Sequence, residues 1–424
     1  MKHQLYGDGI HDDTAAIQEM LDSGIVRISL PEPEKNYLIS KTLKIHSCQE
    51  LVLSRWTIVK LAPGSNCPML ANDDFEKGSS RIVIRGGIWD FDNIHQAPNP
   101  MMVVDQPRDS HRMSVPADYP VDPVDGMRHG LRRNDPYHHD RYFGMIFQFI
   151  NINGFEMSDL VLKNPVTYAA KFARLSNFTI KHITFDFNEG NPSPDNMDGL
   201  HFDGFCHDGF IQDIKGNCYD DFLAFNAEDS IADSPGFGPI WNISVDGIYA
   251  DRCHSAVRFL SCGSKVSNIT VRNVFGNFYR YAFGFTHFVT EIPARGIFDN
   301  IVLENLFIGK ALALDSDWNR CPDWGLILGK GGGSIGSLRI TGFHRVEEKT
   351  PTPSIELEND CEIECLTLED CSIENHTQSS VTFLQNSGKI GILRMEDCRV
   401  VPVSGGGTVT NLVNSGQIGR IMER

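Results

Sequence analysis

The stretch NMDGLHFDGFCHDGFIQDIKGNCYDDFLAFNAED, residues 196–229, holds seven Asp and one Glu, two of them adjacent as Asp220 and Asp221. Carboxylates at this density can act as general acid and base, ligate a cation, or cap turns. The choice depends on which acids share a face, and so on the elements that carry them.

Those elements repeat. SIGSLRITGF, EIECLTLEDC, KIGILRMEDC and QIGRIMER superpose near the C-terminus, with Ile335, Ile363, Ile390 and Ile418 spaced 28, 27 and 28 residues apart. A fixed period of this size marks a solenoid, whose repeats bury their apolar faces by stacking. Further copies run back through NIVLENLFIG from Asn300, NITVRNVFGN from Asn268, NISVDGIYAD from Asn242, GFIQDIKGNC from Gly209 and NFTIKHITFD from Asn177. Each reads as a short strand, a two-residue bend bearing Asn, Gly or Asp, and a second strand. Strand repeats without intervening helices predict an all-β fold, a right-handed single-stranded parallel β-helix forming one domain over residues 1–424. Within 1–30, DDTAAIQEMLDSG predicts a capping helix started by Asp12 or Asp13, faced by Ile17, Met20 and Leu21, and ended at Gly24. Residues 93–140, rich in Pro, Asp, Arg and His, have no strand period and read as a long surface insertion. Cys371 and Cys398, 27 residues apart at matching places, are expected to stack as reduced thiols.

Counting from the start of each copy puts Asp220 and Asp221, then His254, then Arg280 at offsets of 11 to 12. Asp198 joins them once the turn-rich NEGNPSPDNM is set aside. Four successive coils are thus expected to stack an acid, two acids, a His and an Arg, about 4.8 Å apart. Like charges this close favour one protonated and one ionised carboxyl, the equipment of acid/base catalysis. Asp186, Asp203, Asp208 and Asp213 read instead as corner turns. His201, His207 and Asp203 match no metal-ligand spacing, so neither metal nor cofactor is expected.

The net charge of −17 argues against nucleic acid and anionic membrane surfaces as partners. No run approaches the length of apolar residues that spans a bilayer. The opening MKHQLYGDGIHDDT has no apolar h-region, which points to the cytoplasm if this N-terminus is native, and otherwise to a secreted or periplasmic protein that has lost its signal peptide. Eleven Cys without paired spacing suit buried thiols rather than a disulfide framework.

NMDG, followed 22 residues after its Asp by DDFLAFN, resembles the polygalacturonase family, glycoside hydrolase family 28, with its N-T-D-G and G-D-D-C-[IV]-A-[IV]-N. CHSAVRFLSCG resembles that family's later G-H-G motif, GGIWD its G-G-x-[IL]-D, and YGDGIHDDTAAIQ the opening shared by related β-helix families. The resemblance implies metal-free, inverting hydrolysis of a glycosidic bond in a polysaccharide or oligosaccharide. Asp220 would be the general acid, Asp198 and Asp221 would activate water, and His254 would support the acid. Asn196 and Tyr219, flanking the acids, are candidate substrate contacts. Tyr219, Phe222 and Ser255 depart from the family pattern. Where the family has R-I-K, this chain has Phe283 and Phe285, which are expected to stack on a sugar other than plain polygalacturonate, with Arg258 and Arg280 as compensating cations. Two other readings are a polysaccharide lyase or uronate epimerase, with Lys215 or Arg258 as base, and a non-catalytic glycan binder. Endo or exo action and oligomeric state stay open.

Overall fold

The computed structural model describes residues 3–99, 144–191, 194, 196–228, 238–286, 295–312 and 324–423. They fall into two compact units, one of Met1–Phe210 with Cys218–Asp220, the other of Ile211–Asn217, Asp221–Asp229 and Gly238–Arg424. Each is built as a right-handed parallel β-helix, in agreement with the repeat. Among the described residues no helix is long and apolar enough to cross a membrane.

In the first unit the helix Thr14–Leu21 buries Ala16, Ile17 and Leu21. Asp13 stands at its N-cap position, but its carboxylate is turned away from the helix and accepts the backbone N–H groups of Tyr6, Gly7 and Leu38. Asp12 instead accepts the Thr14 N–H at 2.8 Å. Strands Phe147–Ser158 and Ala170–Asp186 pair in parallel, with Phe149 level with Phe172, and Phe172 is level with Phe202 on Leu200–Asp203. These rings form part of a core stack, Phe172 and Phe202 lying 4.9 Å apart between centroids. A buried Phe contributes roughly 1.5–3 kcal/mol, so the stack helps fix the register that positions everything outside it.

The expected insertion begins anchored. Asn93 is buried, its Nδ2 donating to the Pro165 carbonyl at 2.8 Å and to Asn188 Oδ1 at 2.7 Å. Residues 100–140 of the insertion, and with them any action on the groove, lie outside the described residues.

In the second unit the predicted register holds. Ile335 pairs with Ile363, Ile363 with Ile390, and Ile390 with Ile418. Cys371 is level with Cys398, and every described cysteine is a free thiol. The bends differ from expectation: strands such as Ile240–Cys253 and Lys265–Phe278 run on past them, their pairing skipping single residues with positive φ. Asn242, Asn268 and Asn300 have φ of 56°, 55° and 51°. Asn tolerates this left-handed region better than other side chains. Their amides form a ladder, Asn268 donating to Asn242 at 3.0 Å and Asn300 to Asn268 at 2.9 Å. Asn268→Ala is expected to cost about 1–2 kcal/mol, from a Cβ without a hydrogen-bonding head in the left-handed region. Asn268→Gly should cost less; equal urea midpoints for the two variants would contradict this account.

Candidate active site

In the first unit, Asp198 precedes the strand Leu200–Asp203 and is 3% exposed. Its backbone carbonyl accepts Ala169 N–H at 2.9 Å, tying it to the coil before. Tyr219 and Asp220 both direct their N–H groups at the Met197 carbonyl, at 3.2 and 3.3 Å. That bend sets Asp220, itself 6% exposed, against the segment that carries Asp198. Asn196, half-buried with φ of 56°, accepts Asn99 Nδ2 at 3.4 Å, and Tyr219 is also half-buried.

Asp198 has a partner that motif reading missed. His201 lies 2.7 Å from Asp198 Oδ2 through Nδ1 and 3.2 Å from Asp203 Oδ1 through Nε2. Lys171, level with His201 in the sheet, reaches Asp203 Oδ2 at 3.1 Å. Asp203 is therefore no corner turn: it is 3% exposed, in a strand, and its carboxyl is held below the usual carboxylate range by Lys171 and His201 against the opposing effect of burial. Burial lowers the His201 pKa, but the two carboxylates outweigh it and raise the value to about 9. Asp208 and Asp213, in contrast, have positive φ and do sit at bends. The alternation His201, Asp203 was visible in sequence, but Lys171 is 32 residues before Asp203 and only strand register joins them.

In the second unit, Asp221 opens the strand Asp221–Asn226 and is 1% exposed. It stands level with Ser255, not with His254 as equal offsets suggested. Equal offsets from the start of a copy do not record irregular residues within a coil, such as the one between Asp251 and Cys253, where the register with the next coil shifts. Ser255 Oγ donates to Asp221 Oδ1, His254 Nδ1 lies 4.0 Å from the same oxygen, and Arg258 Nη1 lies 3.7 Å from Oδ2. Ser255, noticeable in sequence only as a departure from the family motif, is thus a direct ligand of the acid.

Arg280 Nη1 meets His254 Nε2 at 3.0 Å. A guanidinium has only donors, so Nε2 accepts and the imidazole proton rests on Nδ1, the nitrogen nearer Asp221. Burial, then Arg280, Arg258 and Lys310, hold the His254 pKa well below 6.5. Arg280 is itself placed by Lys310, whose buried Nζ donates to the carbonyls of Tyr279, Arg280 and Trp324. The Arg280 guanidinium lies 4.7 Å from the Trp324 ring centroid, and Lys330 Nζ lies 4.9 Å from it.

Phe283 and Phe285 do not belong to this constellation. They are 0% and 1% exposed, and Phe285 stacks on Phe259 with centroids 4.9 Å apart, continuing the Phe225–Phe259 core stack. A four-residue strand, Phe283–Thr286, gives no sequence clue to which alternate face is inside. Lys215 is exposed, whereas Arg258 faces Asp221.

The two histidines give stability opposite dependences on pH. His201 has its pKa raised from 6.5 to about 9, so its contribution is complete below 6.5 and is lost as pH rises through 9. His254 has its pKa depressed, so its contribution is present above 6.5 and is lost as pH falls. Urea midpoints are expected to decline in both directions from that region. His201→Gln should flatten the alkaline side, and Arg280→Gln should soften the acid side.

No protein-family model matches the sequence, and no curated protein matches it. Solved structures do. The family 28 exopolygalacturonase of Yersinia enterocolitica superposes with a TM-score of 0.63 at 13% identity, covering 99% of this chain and 76% of that one. The endo-xylogalacturonan hydrolase of Aspergillus tubingensis gives 0.51 at 15%, covering 97% and 98%. The Streptococcus pneumoniae surface adhesin PfbA gives 0.56 at 14%, covering 100% and 92%. At such identities the likeness establishes the fold, a polygalacturonase-like parallel β-helix.

Proposed function

We propose that this chain is a glycoside hydrolase acting on a polysaccharide or oligosaccharide. The observation that carries the reading is the burial of three carboxylates, Asp198, Asp220 and Asp221, at 3%, 6% and 1% exposure. Burying carboxylates is costly unless they are hydrogen-bonded or paired, and such groups concentrate at functional sites. Asp220 gives its proton to the departing glycosidic oxygen. Asp198 accepts the proton of the water that attacks the anomeric carbon, and the product forms with inverted configuration. Ser255 orients Asp221 by its O–H group, with the His254 imidazole beside the same oxygen at 4.0 Å.

Arg258 and Arg280, the latter against Trp324, supply the cations and the aromatic face on which an acidic glycan would settle. Phe283 and Phe285, facing inwards, play no part in choosing the sugar. The departure at Tyr219, half-buried beside Asp220, supports a substrate other than plain polygalacturonate.

The test is a screen of the purified protein on aryl glycosides and pectic oligosaccharides, with the product anomer read by proton NMR. Release of a reducing sugar of inverted configuration supports the reading. An unsaturated product absorbing in the near ultraviolet would replace it with a lyase, and glycan binding without turnover would replace it with a binding protein.

A further inference from the structure

The coil that carries Asp198 contains a cation that no acid/base scheme requires. His201 is 1% exposed and both its ring nitrogens face carboxylate oxygens, Asp198 at 2.7 Å and Asp203 at 3.2 Å. A neutral imidazole has one N–H and would leave one carboxylate facing a lone pair, so this geometry suits the imidazolium. The charges then balance within the buried group: His201 and Lys171 against Asp198 and Asp203. Tyr168 closes one side, its ring 4.2 Å from the imidazole centroid and 5.4 Å from Lys171 Nζ.

We propose that His201 is a positioning residue, an imidazolium clamp that holds Asp198 ionised and in one orientation, with Asp203 and Lys171 fixing the clamp from behind. The proposal rests on the hydrolase reading for the role of Asp198, but not for the existence of the clamp. With Nδ1 hydrogen-bonded to Asp198, Nε2 turned to Asp203 at ion-pair distance and the ring 1% exposed, His201 does not exchange a proton with substrate. Its effect passes through Asp198, which needs a free lone pair directed at the water and a second oxygen kept still. The charged and titratable groups facing His201 are Asp198, Asp203, Lys171 and the Tyr168 phenol. Of these, Asp203 has no motif counterpart and Lys171 comes from the preceding coil, so the device was invisible to motif matching.

Two measurements test it. Nitrogen-15 NMR of histidine-labelled full-length protein, with His201 assigned by its loss in His201→Gln, should show both ring nitrogens protonated at neutral pH and a titration near the elevated value of about 9. Asp203→Asn should move that titration down. A His201 that titrates near 6.5, or carries a single ring proton at neutral pH, overturns the clamp. On any substrate that the Asp220→Asn variant fails to turn over, His201→Gln should lower kcat by about 10²-fold, leave KM within a few fold, and move the acid limb of the kcat profile to higher pH. Asp203→Asn should do the same more weakly, and it carries this arm if His201→Gln does not fold. Unchanged kcat and an unchanged acid limb overturn the positioning role even where the clamp is seen. A wild-type protein with no turnover on the panel defeats the hydrolase reading and the positioning role with it, while the NMR titration still decides the clamp.

Discussion

Asp220→Asn is expected to lower kcat by roughly 10³-fold or more while changing neither the unfolding midpoint nor glycan affinity appreciably. The substitution keeps the shape of the side chain and leaves the Asp220 N–H bond to the Met197 carbonyl in place. What it removes is a proton that can be transferred to a departing alkoxide, because an amide N–H donates a hydrogen bond without acting as an acid at neutral pH. Asp198→Asn should act at the opposite side of the reaction, on the water. Since the two groups serve one transition state, the double variant is expected to be scarcely slower than the worse single one. Steady-state rates with a calorimetric binding isotherm and a thermal melt for each variant check all three statements. Wild-type turnover in Asp220→Asn would remove the residue from the mechanism.

The largest expected loss of stability comes from the second unit, at Glu347→Gln. Arg345 and Glu347 are 1% and 0% exposed, and Glu347 Oε2 accepts Arg345 Nε at 3.0 Å and Nη2 at 2.7 Å. Its other oxygen accepts the N–H groups of Lys349 and Thr350, both at 2.8 Å, while Arg345 Nη1 donates to the Thr352 carbonyl and Ser354 Oγ. Gln at 347 leaves the guanidinium without its counter-charge and points an NH₂ group at donors. Breaking a buried pair in this way costs about 3–5 kcal/mol. Replacing both residues by apolar ones of similar volume, Arg345→Met with Glu347→Leu, should cost less than Glu347→Gln alone, since no buried charge is stranded. Urea midpoints measured for the three proteins decide this, and equal losses would place the stability in packing. The consequence reaches further, because Glu347 also accepts the Lys310 N–H at 3.3 Å and Lys310 holds the Arg280 carbonyl.

Much of the fold was legible because parallel coils must repeat their buried residues in register. Ile335, Ile363, Ile390 and Ile418 announced the period, and Cys371 with Cys398 obeyed it. Asn242, Asn268 and Asn300, read as the first residues of their copies, turn the chain themselves, because Asn is the side chain most at ease in the left-handed region. Arg81, Arg174 and His182 adopt the same conformation, and nothing in their chemistry announces it. In the site, the acids could be singled out from their motif, but the partners of each depend on register. Asp221 finds Ser255 one residue away from where equal offsets put its partner, and Asp203 finds Lys171 across a whole coil. Phe283 and Phe285 were misplaced for a related reason: two-residue alternation names two faces without saying which one meets the core.

The ladder has a further meaning for how such a chain can change. Register partners in the second unit are separated by 26 residues from Val245 to Val271, 32 from Val271 to Leu303, 37 from Leu303 to Ile340 and 28 from Ile340 to Leu368. Every one of those intervals advances the chain by a single rung of about 4.8 Å. Position along the solenoid axis is therefore an ordinal address, counted in turns of the coil and indifferent to how much sequence each turn consumes. Loops leaving the corners can lengthen, shorten or be exchanged without altering the address of a neighbouring rung, whereas deleting one residue inside Lys265–Phe278 would turn every later side chain of that strand to the wrong face.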